Sequence, residues 1–159
     1  MLGGFGVDTE RINAALHNYS IVKHHLCCQS NAGDRKAEID SDYVHSGFGV
    51  CMNNPACTGI ENEGPVPPGT YKMVPEYKAR WNIGGPGAGH NAWRLKPTIA
   101  TRIAQSRIKR PGGYFLHLGH ISEGCITVSI VIGAAIQQWA PVDAMLNAEN
   151  PKNTMIVRE

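Results

Sequence analysis

The stretch YFLHLGHISEGCITVS, residues 114–129, decides the fold of this chain. Its first five residues are aromatic or apolar apart from one histidine, and the residues after Cys125 are rich in β-branched side chains, as is typical of β-strands. The connection between the two halves contains two glycines and is able to fold back. We therefore predict two strands whose connection brings His117, near the end of the first, close to Cys125, at the start of the second.

The whole composition indicates one β-rich globular domain. The chain has 159 residues, of which 42% are hydrophobic and 18% charged, enough for a core. Its 18 glycines and 10 prolines predict frequent turns and short strands, hence a mainly β fold with a few helices, of the α+β class. A net charge of +2, without basic runs interleaved with aromatics, argues against nucleic-acid binding. The longest apolar stretch, residues 126–136, is too short and too interrupted for membrane insertion.

Local patterns predict the elements around this centre. Strands are expected at residues 19–26, 71–74, 93–95 and 154–158. Helices are expected at residues 9–16, 97–108 and 132–146, the last interrupted at Pro141. Residues 31–42 are polar without clear periodicity and are expected on the surface, and the Gly/Pro-rich stretches 46–56, 64–71 and 84–89 are expected to be connections. Tyr71 and Trp93 are expected in the core.

The chemistry is expected at Cys125. A cysteine attacks an amide as the thiolate, and an ordinary thiol is mostly protonated at neutral pH, so a neighbouring base must accept its proton. His117 is the candidate base. Gly124 allows a tight backbone at the nucleophile, and the N–H groups of Gly124 and Cys125 are placed to stabilise an oxyanion. For Ser122, two roles stay open: a hydrogen bond that steadies the catalytic loop, or a local turn cap.

The other cysteines bear on the compartment and on metal binding. Five is an odd number, so at least one is unpaired. Cys51 and Cys57 are close enough in sequence to form a disulfide in an oxidising compartment, while a bond between the adjacent Cys27 and Cys28 would be strained. In the segment HHLCC, residues 24–28, neighbouring side chains on a strand point to opposite faces and cannot surround one ion. We predict no metal and no cofactor.

Two groups of motifs, in this order, resemble a known family. The downstream segment HLGHISEGCI, residues 117–126, is similar to the His…Ser-x-Gly-Cys signature of the L,D-transpeptidase (YkuD-type) catalytic domain. The upstream segments SGFG (46–49), NNPA (53–56) and GPVP (64–67), with Gly59, Asn62, Gly69 and Tyr71, resemble the L,D-transpeptidase-like effectors of type VI secretion systems. The resemblance covers residues 46–129 and implies a catalytic domain at 46–159, with 1–45 as an extension packed on it.

The resemblance implies a compact L,D-transpeptidase-like fold and an antibacterial enzyme. Its substrate would be peptidoglycan, whose tetrapeptide stems would lose or exchange the terminal D-Ala through a thioester at Cys125. The beginning of the chain has no basic, apolar signal-peptide pattern. A type VI secretion apparatus would then deliver the protein to the periplasm of a target cell, and a cognate immunity protein is expected. The alternative is a non-catalytic module of the same fold that binds peptidoglycan or a partner.

The substrate-binding residues follow less directly from the motifs. Glu123 and Thr127 stand where many members of the wider family have His and Arg, so another cation must hold the substrate carboxylate. Arg94 and Arg80 are the candidates. His90, beside the glycine-rich loop, is assigned to the substrate cleft. His120 is also assigned to substrate binding, because the position of His117 at the strand end fits the family's base better.

Overall fold

The structure, a computed structural model, describes residues 14–77, 91–110, 112–119, 122 and 124–159. Its described part forms one sheet of nine strands in the order β3-β2-β1-β9-β5-β6-β7-β8-β4. The strands are β1 Ala15–Ser20, β2 His25–Gln29, β3 Lys36–Ile39, β4 Val44–Ser46, β5 Gly69–Tyr77, β6 Asn91–Pro97, β7 Tyr114–Gly119, β8 Ile126–Ser129 and β9 Asn153–Arg158. Two α-helices are described, α1 Ile99–Ala104 and α2 Gly133–Glu149, with single 3-10 turns at Gly49–Cys51 and Pro55–Cys57.

One face of the sheet carries the hydrophobic core. Paired residues on neighbouring strands share a face, so the register aligns Trp93 with Leu116 and Leu116 with Ile126. Helix α2 covers this face with buried side chains that include Trp139 and Leu146. Trp93 is fully buried, and its indole Nε1 donates to Asp143 Oδ1 of α2 at 3.2 Å. Tyr71 is also fully buried, so both aromatic residues lie in the core as predicted.

The opposite face is largely polar where β6, β7, β8 and β4 lie side by side. Side chains alternate between the two faces along a strand, so the residues that lie between core positions point to this opposite face. They are Arg94, Phe115, His117, Thr127 and His45. Because the core residues lie on one face and the polar residues on the other, the two strands of the stretch 114–129 are buried and still carry a histidine outside the core. The β-rich α+β fold is therefore confirmed.

Several predicted elements were wrong in detail in the N-terminal region. The predicted helix 9–16 lies partly outside the described residues, and its end, Ala15 and Leu16, is in β1 because it pairs with β9. The predicted strand 19–26 is two strands joined by a turn at residues 21–24, where His24 has a positive φ of 38°. Residues 31–42 contain β3, whose buried positions alternate with exposed ones.

The helix predictions also needed correction. Helix α1 ends at Ala104 rather than at residue 108, and its apolar side faces solvent, since Ile99 is 73% and Ile103 69% exposed. Thr101 anchors it instead, with its hydroxyl accepting from the backbone N–H of Thr70 at 2.8 Å. Helix α2 continues through Pro141 because buried residues on both sides of the proline hold it against the sheet. No helix in the described ranges is long and apolar enough to cross a membrane.

Candidate functional site

The pairing of β7 with β8 brings together the segments that carry the two predicted catalytic residues. The strands are parallel, with His117 opposite Thr127 and Leu116 opposite Ile126. Cys125 directly precedes Ile126, the first residue of β8, so the thiol lies at the beginning of the strand that pairs with the strand of His117. His117 is buried, whereas Cys125 is partly exposed and is not in a disulfide. A substrate can therefore reach the thiol beside the strand that carries the imidazole.

The tautomer of His117 follows from its hydrogen bond. Nδ1 lies 2.8 Å from the backbone oxygen of Leu118, an acceptor, so Nδ1 carries the proton and Nε2 has its lone pair. Burial lowers the pKa of His117 below its ordinary 6.5, and the bond to Leu118 opposes this shift. The imidazole is therefore neutral at pH 7 and is able to accept a proton through Nε2.

A second histidine belongs to the same row. In β4, His45 lies opposite Thr127, so His117, Thr127 and His45 stand side by side across three strands. Burial lowers the pKa of His45 first, and the charges of His117 and His24 lower it further. A charge on His117 thus opposes protonation of His45. The Thr127 hydroxyl is buried between them and has no hydrogen-bond partner within the described part of the chain.

Gly124, just before β8, allows the side chains of Arg110 and Tyr114 to approach the backbone closely. Its φ is +115°, a conformation that residues with a side chain rarely adopt, and an added Cβ would lie 2.3 Å from Nη2 of Arg110. The ring of Tyr114 lies 3.3 Å from the same point. Burial raises the pKa of Tyr114, the Arg110 charge opposes this, and a thiolate at Cys125 raises it further. Arg110 and Tyr114 therefore stand directly beside the nucleophile's loop.

Ser122 links the nucleophile's loop to the upstream motifs. It is fully buried; its hydroxyl donates to the backbone oxygen of Cys125 and accepts from the backbone N–H of Gly47 at 3.1 Å. Ser46 continues the connection, since its hydroxyl accepts from the backbone N–H of Val66 at 2.8 Å. The segments SGFG and GPVP, distant from Cys125 in sequence, thus support its backbone. Of the two roles open for Ser122, its contacts favour steadying the loop.

The loop of residues 47–66, termed the supporting loop, is held by a disulfide, by close backbone packing and by hydrogen bonds. A disulfide joins Cys51 and Cys57, a pairing that the sequence allowed but did not determine. Gly64 packs so tightly that an added Cβ would lie 2.0 Å from the backbone oxygen of Cys57. Arg110 donates from Nη1 to the backbone oxygens of Thr58 and Pro65, each at 2.8 Å, and from Nη2 to that of Gly64 at 3.1 Å. The supporting loop is therefore fixed against the strands that carry the site.

Gly64→Ala is expected to lower the free energy of unfolding by more than about 3 kcal/mol, because the new methyl overlaps backbone atoms that cannot rotate away. The measurement is urea unfolding followed by circular dichroism. Gly59→Ala is the matched control, since an added Cβ there meets nothing within 4 Å. Equal stabilities of the two variants would contradict the packing described.

Loss of the disulfide is expected to lower the free energy of unfolding by about 2 kcal/mol, from the entropy of closing a short loop. Activity should fall as well, because the supporting loop bonds Ser122 through Gly47. The double variant Cys51→Ala/Cys57→Ala tests both effects by urea unfolding and turnover, with Cys27→Ala as control. Wild-type stability and turnover in the double variant would show that the disulfide does not support the site.

Arg94, a predicted substrate-binding residue, lies on the same face as His117. It is paired with Phe115 across β6 and β7, and its guanidinium stacks 4.7 Å above the Phe115 ring centre. Its Nε and Nη2 both lie 2.6 Å from Oε2 of Glu76. The Glu76 carboxylate therefore compensates the charge of Arg94. The arginine borders the site, and its availability to a substrate carboxylate is reduced.

The remaining predictions concern residues outside the described part. His120, His90, Arg80 and the loop 84–89 lie there, as does Glu123. In the segment 24–28, His25 pairs with Glu38 and Cys28 is buried in the core. Among the described residues, no group of three or more His, Cys, Asp or Glu is arranged to hold a metal ion.

Sequence reasoning missed two neighbours of the site, His45 and Arg110. His45 was detectable only as the residue directly before the SGFG segment, one alternation step from Ser46. Arg110 had a clearer signal, because it ends a stretch that contains arginines and lysines but no acid. Both depend on contacts between distant segments, which local patterns do not report.

Comparison with known structures agrees with this fold. Pgp2 of Campylobacter jejuni, a helical cell shape determining protein, aligns over 92% of this chain and 48% of its own, with 16% identity and a TM-score of 0.55. An L,D-transpeptidase from Mycobacterium tuberculosis H37Rv aligns over 92% and 58%, with 15% identity and a TM-score of 0.48. The chain thus spans about half the length of these proteins. Comparison with curated protein sequences gives no significant match.

A family model agrees with the motifs. The Tlde1 domain matches residues 41–155, a range that contains the supporting loop, both strands of the site and all residues from His45 to Cys125 discussed above. The predicted resemblance to the L,D-transpeptidase-like effector family is thereby confirmed. The chain belongs to the Tlde1 domain family and has the L,D-transpeptidase-like fold.

Proposed function

We propose that the protein is a cysteine L,D-carboxypeptidase or L,D-transpeptidase that acts on the tetrapeptide stems of peptidoglycan. The observation that carries the proposal is the His117 tautomer. Its Nδ1 proton is directed at Leu118, and Nε2 is left basic on the strand paired with that of Cys125. Membership of the Tlde1 domain family and the shared fold support the same reaction class.

The residues present are sufficient for a balanced reaction. His117 Nε2 accepts the Cys125 proton, and the thiolate attacks the carbonyl that precedes the terminal D-Ala. The carbonyl oxygen becomes an oxyanion beside the N–H groups at Gly124 and Cys125. Its collapse breaks the amide bond, and D-Ala leaves with the proton from His117. Water or a D-amino acid then attacks the thioester and transfers a proton to His117, and the departing Cys125 thiolate takes that proton back from His117.

The acceptor decides between hydrolysis and exchange. Attack by water gives a tripeptide stem, and attack by a D-amino acid gives a stem with a new terminal residue. The row of His117, Thr127 and His45 runs from β7 across β8 to the edge strand β4. This row offers polar groups that could contact an acceptor molecule at the site.

The biological role we propose follows from the family. A Tlde1 domain that removes or replaces terminal D-Ala would damage the wall of a competing cell, as an antibacterial effector delivered by type VI secretion. The target would be the periplasm, where the stem peptides lie, and a disulfide is compatible with such an oxidising compartment. The producing cell would need an immunity protein.

Mass spectrometry of muropeptides incubated with the protein tests the proposed function. We expect tetrapeptide stems to become tripeptides, or to incorporate an added D-amino acid such as D-Met, and Cys125→Ala to do neither. A non-catalytic binding module would leave the stems unchanged with both proteins. Conversion by the wild type at an L-Ala or sugar linkage would also contradict the proposed reaction.

A further inference from the structure

The positive charge of the chain is concentrated in one segment. Residues 77–122 contain eight Lys or Arg and no Asp or Glu, while the rest of the chain contains seven Lys or Arg and 13 Asp or Glu. The segment includes β6, α1, the connection to β7, and β7 itself. The net charge of +2 conceals this uneven distribution along the chain.

A cavity of about 320 Å³ lies in this segment, at the end of the sheet where β7 begins. Two arginines line it, Arg102 from α1 and Arg110 from the connection, together with the hydroxyl-bearing Ser106 and Tyr114. Among the described residues that line it, there is no Asp or Glu. A cavity with two cations and no acid favours an anionic ligand.

Both arginines have guanidinium N–H donors that bond to no other residue of the described ranges. Arg102 is exposed, and its guanidinium makes no hydrogen bond or ion pair with another residue of the described ranges. Arg110 directs three of its five N–H donors to the carbonyls of the supporting loop, which leaves two donors, on Nε and Nη2, without a partner in the described residues. Its guanidinium is held in place by the Tyr114 ring, 5.0 Å below it. Arg110 is thus a pre-positioned cation.

The cavity is adjacent to the nucleophile. Arg110 Nη2 lies 2.3 Å from the ideal Cβ position of Gly124, the residue before Cys125, and Tyr114 is close enough to Cys125 for their charges to interact. In a peptide that ends in D-Ala, the terminal carboxylate carbon is three bonds from the scissile carbonyl carbon, at most about 4 Å away. A substrate with that carbonyl at Cys125 would therefore direct its carboxylate towards a cation of this kind.

We propose that the cavity between Arg102 and Arg110 binds the terminal carboxylate of the donor stem. This inference rests on the proposed function and names the specificity site for that reaction. Arg94, by contrast, is already paired with Glu76. Thr127 stands where many members of the wider family have Arg, and it carries no charge. The two arginines of the cavity would supply the positive charge that a free C-terminal carboxylate requires.

Kinetics with two tetrapeptides, one ending in D-Ala and one in D-alaninamide, test the site. Arg102→Gln is expected to raise KM for the free acid about 10-fold, to leave kcat unchanged and to leave the amide unaffected. Arg107→Gln is the matched control, since Arg107 is exposed in the same segment but does not line the cavity. Arg110→Lys should also reduce the preference for the acid. If Arg102→Gln and Arg107→Gln behave alike, the site is wrong.

A binding measurement separates this inference from the proposed function. In Cys125→Ala, N-acetyl-D-alanine is expected to shift the NMR signals of the Arg102 and Arg110 Nε–H groups, and N-acetyl-D-alaninamide is expected not to shift them. These shifts would support the site even if the wild type showed no turnover, which would overturn only the proposed function. Absence of the shifts, with turnover intact, would overturn the carboxylate site alone.

Discussion

Cys125→Ala is expected to lower the rate of tetrapeptide conversion by about 10³-fold or more, to the limit of detection. The thioester requires the sulfur atom, and no other described group at the site is positioned to replace it. The fold should be retained, since Cys125 is partly exposed and the substitution removes a single atom. The measurement is the initial rate of D-Ala release from a purified tetrapeptide.

Cys27→Ala is the matched control for this loss. Cys27 is another thiol outside a disulfide, on β2, several strands away from the site. The variant should keep the wild-type rate, and in the wild type Cys27 should be alkylated slowly, because burial raises the pKa of its thiol. Equal activity of Cys125→Ala and Cys27→Ala would remove Cys125 from the mechanism.

His117→Gln is expected to lower kcat/KM by about 10² to 10⁴-fold, the usual contribution of a general base. Glutamine retains a donor able to reach the Leu118 carbonyl, so the loss would report the missing base rather than a missing hydrogen bond. His25→Gln is the control, since the His25 side chain is half-exposed on β2 and lies beside Glu38, far from the site. A His117 variant with a near-normal rate would assign the base elsewhere.

The pH dependence of kcat/KM provides a second readout for His117. Burial places the pKa of His117 below 6.5, so the neutral base persists as the pH falls to that value and is lost below it. The acid limb of the profile should therefore lie below pH 6.5 and should be absent in the residual activity of His117→Gln. An acid limb above pH 6.5 would contradict the environment described for this histidine.

Folding stability must be followed over the same pH range. The pKa of buried His17 is also lowered, chiefly by burial, as are those of His45 and His117. The unfolded chain therefore binds these protons first as the pH falls through 6.5. Stability decreases from there and levels off below the folded-state pKa values, at a slope of up to about 1.4 kcal/mol per pH unit for each histidine. Circular dichroism at each pH separates this effect from loss of the base.

The sequence predicted the centre of the fold well because strong local signals coincide there. Aromatic and β-branched residues at 114–118 and 126–129 indicate strands independently of their surroundings, and the short Cys51 to Cys57 spacing limits the partners of each thiol. The N-terminal strands were harder to predict. Leu16 and Ala15 have acceptable helix propensities, and only their pairing with β9, more than 130 residues away, makes them a strand.

The surroundings of the nucleophile were less predictable than the nucleophile itself. The contact of Ser122 with Gly47 and the three bonds of Arg110 to the supporting loop join segments 45 to 75 residues apart. Arg94 has a sequence environment that suits a substrate contact, but the register of β5 and β6 places it near Glu76. Such pairings depend on strand register, which no local pattern in this chain determines.

The intact mass of the protein during turnover tests the central claim most directly. When wild-type protein is mixed with excess tetrapeptide and quenched in acid within the first turnovers, it should carry one added acyl group, with the mass of the tripeptide portion of the stem, on the peptide that contains Cys125. Cys125→Ala should show no addition. Continued release of D-Ala by Cys125→Ala, or an acyl group found on another residue, would contradict the thioester mechanism.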